Sequence, residues 1–314
     1  MRLVDLRLTF RLHRFEILGF GVLIGLLSGA AVLTAGMLDA TGYGTHCRFD
    51  GGANPPACEA MGRAFYGLQQ TQVPMVQSIL VALPFLLGAL VGAPLVGREL
   101  ERGTTRLAWS LSPSRSGWFL SRLVPAAVVV FALSLLAGAT LDRLMASIEP
   151  GTDVANAFVG FGSRGVVLAG RATFVFAIGV CVGALSGRVL PALIITAVIG
   201  FVGLTGGSYV HGRILASEAV WVDTESGTGA PGDLFFDQRV RTPGGRVVTW
   251  DEFFSLVPPS DDGSGPPPGY TFVALVIPGD RYPFVELRET GALAGGSLAS
   301  LAIAGLVIRR RRPG

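Results

Sequence analysis

Between Arg98 and Arg106 the charged residues recur at helical spacing: Arg98 with Glu101 and Arg102, then Arg102 with Arg106, and Glu99 stands within the same run. Leu100, Leu107 and Trp109 add apolar contacts. Such a pattern suits a short interfacial helix facing a protein partner. Gly103 followed by Thr104 permits a break and a restart, glycine because it tolerates the left-handed conformation and threonine as an N-cap. A solvated loop that merely enforces topology is the other reading of these residues.

A second pair with chemical potential is Cys47 and Cys58, with Pro55 and Pro56 between them. A disulfide formed outside the cytoplasm and two unpaired thiols are both compatible with that spacing. Cys181 completes the set, the three cysteines make no C-x-x-C, and His13, His46 and His211 stand far apart, so no metal site is expected.

Other chemistries lack their residues. All 25 basic residues are arginine. A nucleotide-binding G-x-x-x-x-G-K-[ST] loop needs its lysine to reach the phosphates. No such loop and no Schiff-base lysine is therefore expected, no cofactor is expected on this chain, and any ATP would be bound by another one. There is no H-E-x-x-H, and the nearest approach to G-x-S-x-G, Gly162-Ser163-Arg164-Gly165, has Phe161 where the first glycine belongs. Asp261-Asp262 and Asp251-Glu252 read as loop charge and a helix N-terminus rather than an acid–base pair. The net charge of +3 is small and the arginines are spread over several loops, which leaves no nucleic-acid footprint. An enzyme is not expected.

The elements that would position these residues are membrane helices. Half of the residues are hydrophobic and 15% are charged, against about 25% charged in soluble domains, and the mean hydropathy is +0.55. Apolar runs at 17–38, 74–96, 123–141, 166–185, 190–209 and 291–308 predict an all-α integral membrane fold with six transmembrane helices. The first run exceeds a signal-peptide core and reads as a retained helix. Ahead of it, residues 1–16 repeat arginine at 2, 7, 11 and 14 among apolar residues, as a basic amphipathic segment on the membrane surface does.

Fourteen arginines, in 1–16, in the loop 98–122, at Arg188 and in the tail 309–314, fall on one side of a six-span chain. The opposite short loops hold only Arg48, Arg63, Arg143 and Arg164. The positive-inside rule then places both termini in the cytoplasm of a multi-pass cell-membrane protein. Residues 210–290, between the fifth and sixth helices, become a small extracytoplasmic domain. Within it 239–248 predicts two short strands around Pro243-Gly244-Gly245, Thr249 to Glu252 has capping-box spacing, and 260–269 (SDDGSGPPPG) is a linker.

Arg171 is the one basic residue inside a predicted span. It is either a membrane-embedded functional group, for an anionic headgroup or substrate, or a residue at the interface ahead of a helix that starts after it; its place near one end favours the second. Gly21, Gly25 and Gly29 on the first span and Gly179, Gly183 and Gly187 on the fourth form small-xxx-small ladders, which predict tight packing within one subunit rather than a dimer seam.

The stretch RELERGTTRLAWSLSPSRSGW, entered from a span ending GAPLVG, resembles the cytoplasmic loop of type-2 permease subunits of bacterial ATP-binding-cassette transporters. RYPFVELRETGALAGG, leading to a last helix that stops at Arg309, is similar to the approach to the final helix of the same permeases. The resemblance implies that Arg98, Glu99, Glu101, Arg102, Gly103, Thr104 and Thr105 contact a separate ATPase subunit through a coupling helix. It further implies pairing with a second copy or a sister permease in the lipid bilayer, no nucleic-acid partner, and a translocation path used mostly for efflux. The outer loop of about 80 residues is longer than the family's usual one. A non-transporting sensor or accessory protein, whose outer domain binds a ligand or partner, is the alternative.

Overall fold

The structure is a computed structural model that describes residues 3–47, 55–104, 114–224, 229–257 and 267–311, with backbone only for 3–17. It is mostly helical, and six helices are long and apolar enough to cross a membrane. They are α1 (Leu3–Ala40), α2 (Ala57–Glu101), α3 (Arg115–Ile148), α4 (Gly165–Ser186), α5 (Val189–Glu218) and α6 (Tyr282–Arg310). The chain divides into two compact units, one helical (1–150, 160–205 and 286–314), the other small (151–159 and 206–285).

Each of the six apolar runs lies within one of these helices, but most helices outrun them. α2 begins at Ala57, seventeen residues ahead of Pro74, and carries Pro74, Pro84 and Pro94 in its interior. Next to the first of them, Ser78 Oγ donates to the Pro74 carbonyl one turn back at 2.6 Å. α1 runs without a break from Leu3 through the basic segment into the first span. Hydropathy marks where a helix is apolar and carries no information on where its polar continuation ends.

In the helical unit α4 is central. It is apolar on all sides, as a helix covered by neighbours must be, and Leu168, Ala172, Phe176, Val180 and Ala184 are fully buried. Gly187, at φ +64°, ends it and donates its N–H to the Gly183 carbonyl at 3.0 Å. Small residues let α2 and α4 touch backbone to backbone. A Cβ on Gly92 would stand 2.4 Å from the Phe176 carbonyl oxygen, and one on Gly183 would stand 2.4 Å from that of Ala93.

The ladder on α1 does not do this. Among the described residues a Cβ on Gly21, Gly25 or Gly29 would meet nothing within 4 Å, so the expected packing within the subunit is not found there. The inward face of α1 is set by Ile24, Ser28, Ala31 and Ala35, which are buried. Gly25 and Gly29 follow Ile24 and Ser28 by one residue, about 100° round the helix.

The small unit is a four-stranded antiparallel sheet in the order β1-β4-β2-β3, built from β1 (Val220–Thr224), β2 (Leu234–Arg241), β3 (Val247–Val248) and β4 (Thr271–Ile277). The predicted hairpin is present, with Val240 opposite Val248 and Arg241 opposite Val247. Thr249 caps the helix Trp250–Leu256 by accepting the Glu252 N–H at 3.3 Å. Val240, Val248 and Phe253 form its core, with Trp250, Tyr270 and Phe272 packed around them. Residues 151–159, from the connection between α3 and α4, join the same unit: the Phe158 N–H donates to the Gly232 carbonyl at 2.8 Å, and its ring meets Tyr282 at 5.5 Å. Most of the predicted linker, 260–266, lies outside the described residues.

Candidate functional site

Arg98, Glu99 and Glu101 belong to the last turn of α2 rather than to a separate interfacial helix. The apolar face of the span, ending in buried Leu95 and Val96, continues through half-buried Leu100 and keeps that turn helical. Arg102 is the C-cap, its N–H donating to the Arg98 carbonyl at 3.1 Å, and Gly103 follows at φ +69°. The break expected at Gly103 is therefore there, for the reason glycine allows it. Thr104 donates its hydroxyl to the Glu99 carbonyl at 3.4 Å. Thr105 and the restart towards Arg106 and Trp109 lie outside the described residues.

The two acids of this turn point back into the helical unit. Glu99 is ion-paired with Arg122 on the second turn of α3, and both side chains are more than four-fifths covered. Arg122 in turn lies over the Trp118 ring, 5.2 Å from its centre. Glu101 reaches α5, accepting the Val189 N–H at 2.9 Å and so satisfying a free donor at that helix's N-terminus. Arg102, Gly103 and Thr104 are exposed. The end of α2 is thus tied to the starts of α3 and α5, with a short exposed tip beyond.

The end of the last helix is fastened to the same region. Arg115, the first residue of α3, donates to the carbonyls of Arg309 at 3.2 Å and Arg311 at 2.7 Å. Arg311 donates to the Ala184 carbonyl near the end of α4 at 2.7 Å, and Arg309 Nε to Ser116 Oγ at 2.9 Å. Guanidinium groups here occupy helix C-termini, where the carbonyls and the dipole favour positive charge.

Some 27 residues along α3, about 40 Å of helix, a second set of charges is paired. Asp142 holds the buried Arg164 at 2.6 Å, and Asp39 of α1 pairs with Arg143. Arg171 donates from Nε to Glu289 Oε1 at 2.8 Å and from Nη2 to the same oxygen at 2.5 Å. α4 starts at Gly165, six residues ahead, so Arg171 lies inside its helix and the reading in which the helix starts after it does not hold. Its partner was not legible, because the last apolar run begins at 291 while the helix begins at Tyr282. Cys47 and Cys58 are bonded, with Cα atoms 5.8 Å apart. No metal-ligating cluster occurs among the described residues.

Residues 18–208 match the family described as ABC-2 membrane transporter related. The match covers more than half of the chain, which therefore belongs to that family and is a multi-pass membrane protein of permease-like character. No curated protein and no solved structure matches it.

Proposed function

We propose that the chain is the membrane-spanning permease subunit of an ATP-driven exporter. It couples to a separate ATPase through Arg102, Gly103, Thr104 and the residues that follow, and pairs with a second copy or a sister permease around a translocation path. Both termini and this tip face the cytoplasm and the small unit faces outward. The observation that carries the reading is the fastening of the α2 end: Glu99 binds α3 and Glu101 caps α5. Displacement of the exposed tip by a partner would thereby be transmitted to three membrane helices together. ATP acts only through the partner's two states, because a ligand shifts a conformational equilibrium only by its differential affinity for them.

The division of labour within the turn follows from the contacts its residues make: Glu99 holds Arg122 and Glu101, although exposed, holds the Val189 N–H, while Arg102 is exposed at the tip. Arg102 contacts the partner, whereas Glu99 and Glu101 set the position of the turn. The deciding experiment is affinity purification of the tagged chain from its native membrane in mild detergent, with mass spectrometry and an ATPase assay on the eluate. A near-stoichiometric ATPase is expected, and Arg102→Glu should lose it while the chain stays folded. Recovery of a signalling protein and no ATPase would replace this reading with that of a sensor or accessory protein.

A further inference from the structure

A groove of about 500 Å³ runs between α3 and α6, floored by Phe119 and Leu123 on one side and Leu298, Leu301 and Gly305 on the other. Its mouth is polar and basic. Ser116 and Arg309 line it, exposed Arg310 follows, and Arg115 is hydrogen-bonded to the Arg309 carbonyl. Arg309 donates Nε to Ser116 Oγ and has no carboxylate partner among the described residues. From Arg309 to Leu298 the groove follows eleven residues of α6, about 16 Å, which is half of a hydrocarbon core of about 30 Å, or one leaflet.

We infer that this groove binds one anionic phospholipid of the leaflet at the arginine-rich end, with an acyl chain along Phe119, Leu123 and Leu301 and the phosphate at Arg309. The depth matches one leaflet, the walls are apolar, and among the described residues the charge that lines the mouth is positive. A second copy of the chain fits less well. Two protomers of the same orientation related by a two-fold axis meet at equal depth, so a contact through this face would set one arginine-rich mouth against the other. An anionic headgroup removes that repulsion, and juxtamembrane arginines attract anionic lipid by about fivefold per residue.

The inference does not depend on the ATPase reading and is tested without it. The full chain, purified and delipidated in mild detergent, is titrated with phosphatidylglycerol and with phosphatidylcholine of the same acyl chains, and bound lipid is counted by native mass spectrometry. One tightly retained phosphatidylglycerol is expected, with Arg309→Gln lowering the preference over phosphatidylcholine about fivefold. Gly305→Leu, which builds a side chain towards Phe119, should weaken both lipids; Ala302→Leu serves the same purpose if that variant misfolds. Equal retention of the two lipids, tighter retention of a free fatty acid, or a preference that survives Arg309→Gln overturns the assignment. A groove-filling variant that alters the oligomeric state and leaves lipid binding unchanged also overturns it, and gives the face to a second copy.

Discussion

Glu289 of α6 receives two hydrogen bonds from Arg171 of α4 on a single carboxylate oxygen, and the two side chains are 9% and 17% exposed. Twenty residues of helix, about 30 Å, separate Glu289 from Arg309, so the pair sits at the far boundary of the apolar stretch of α6. The pair joins the last helix to the central one, and its two members differ in how each tolerates loss of the other. A carboxylate left alone can take up a proton, whereas a guanidinium cannot lose one.

Glu289→Gln is therefore expected to cost more stability than Arg171→Gln, up to about 3 kcal/mol for a pair buried to this degree. The double substitution should cost less than the sum of the two. Thermal unfolding of the four proteins in detergent gives the coupling energy directly. Equal costs for the two single variants, adding without coupling, would mean that the bond contributes nothing. Full transport by Arg171→Leu would make the pair purely structural.

The glycine ladders make opposite predictions. Gly183→Ala puts a methyl group 2.4 Å from the Ala93 carbonyl oxygen and must force α2 and α4 apart, at a cost of about 1–3 kcal/mol. Gly25→Ala meets nothing within 4 Å among the described residues and should leave the unfolding of the isolated chain unchanged or slightly improved. If Gly25→Ala destabilised the purified chain as much as Gly183→Ala, the packing described for α1 would be wrong.

How much of this was legible follows from which signals are local. The six helices are visible as hydropathy because a membrane span needs about 20 apolar residues. The break at Gly103, the Thr249 cap and the strands flanking Pro243-Gly244-Gly245 are visible because each is set by residues within four positions. The roles of Glu99 and Glu101 were not legible as internal contacts, since their partners Arg122 and Val189 are distant in sequence. Strands β1 and β4 pair Val222 with Ala274 across more than fifty residues, and no short pattern encodes that register. Identical glycine spacing on α1 and α4 led to one expectation and two outcomes, because spacing fixes the face of a helix and not its neighbour.

Glu99 and Arg122 should behave as a reversible pair. Glu99→Arg alone brings a positive charge against Arg122 and is expected to cost on the order of 2 kcal/mol, less than the 3–5 kcal/mol of a fully buried pair. Adding Arg122→Glu should recover at least half of that loss, at the expense of the contact between Arg122 and the Trp118 ring. Unfolding midpoints of the three variants decide it. Absence of any recovery would assign Glu99 another partner and weaken the link between α2 and α3.

The disulfide offers a test that bears on stability and on topology together. Ten residues separate Cys47 from Cys58, and closing a loop of that size stabilises a fold by about 3 kcal/mol in the chain-entropy account. Cys58 is the second residue of α2, and Cys47 closes the single turn Tyr43–His46 after α1, so the bond fixes the connection between the first two membrane helices. Reduction, or Cys47→Ser with Cys58→Ser, is expected to lower the unfolding temperature while the other contacts of α1 and α2 keep the chain folded. The bond must also form in an oxidising compartment, and the proposed orientation places it there, on the side opposite the arginine-rich end. In intact cells a membrane-impermeant reductant followed by an impermeant maleimide should label Cys47 and Cys58 and leave buried Cys181 untouched. Labelling of both cysteines without prior reduction would show free thiols in the native protein. Protection of both until the cells are opened would reverse the orientation and put the Arg102 tip out of reach of any cytoplasmic ATPase.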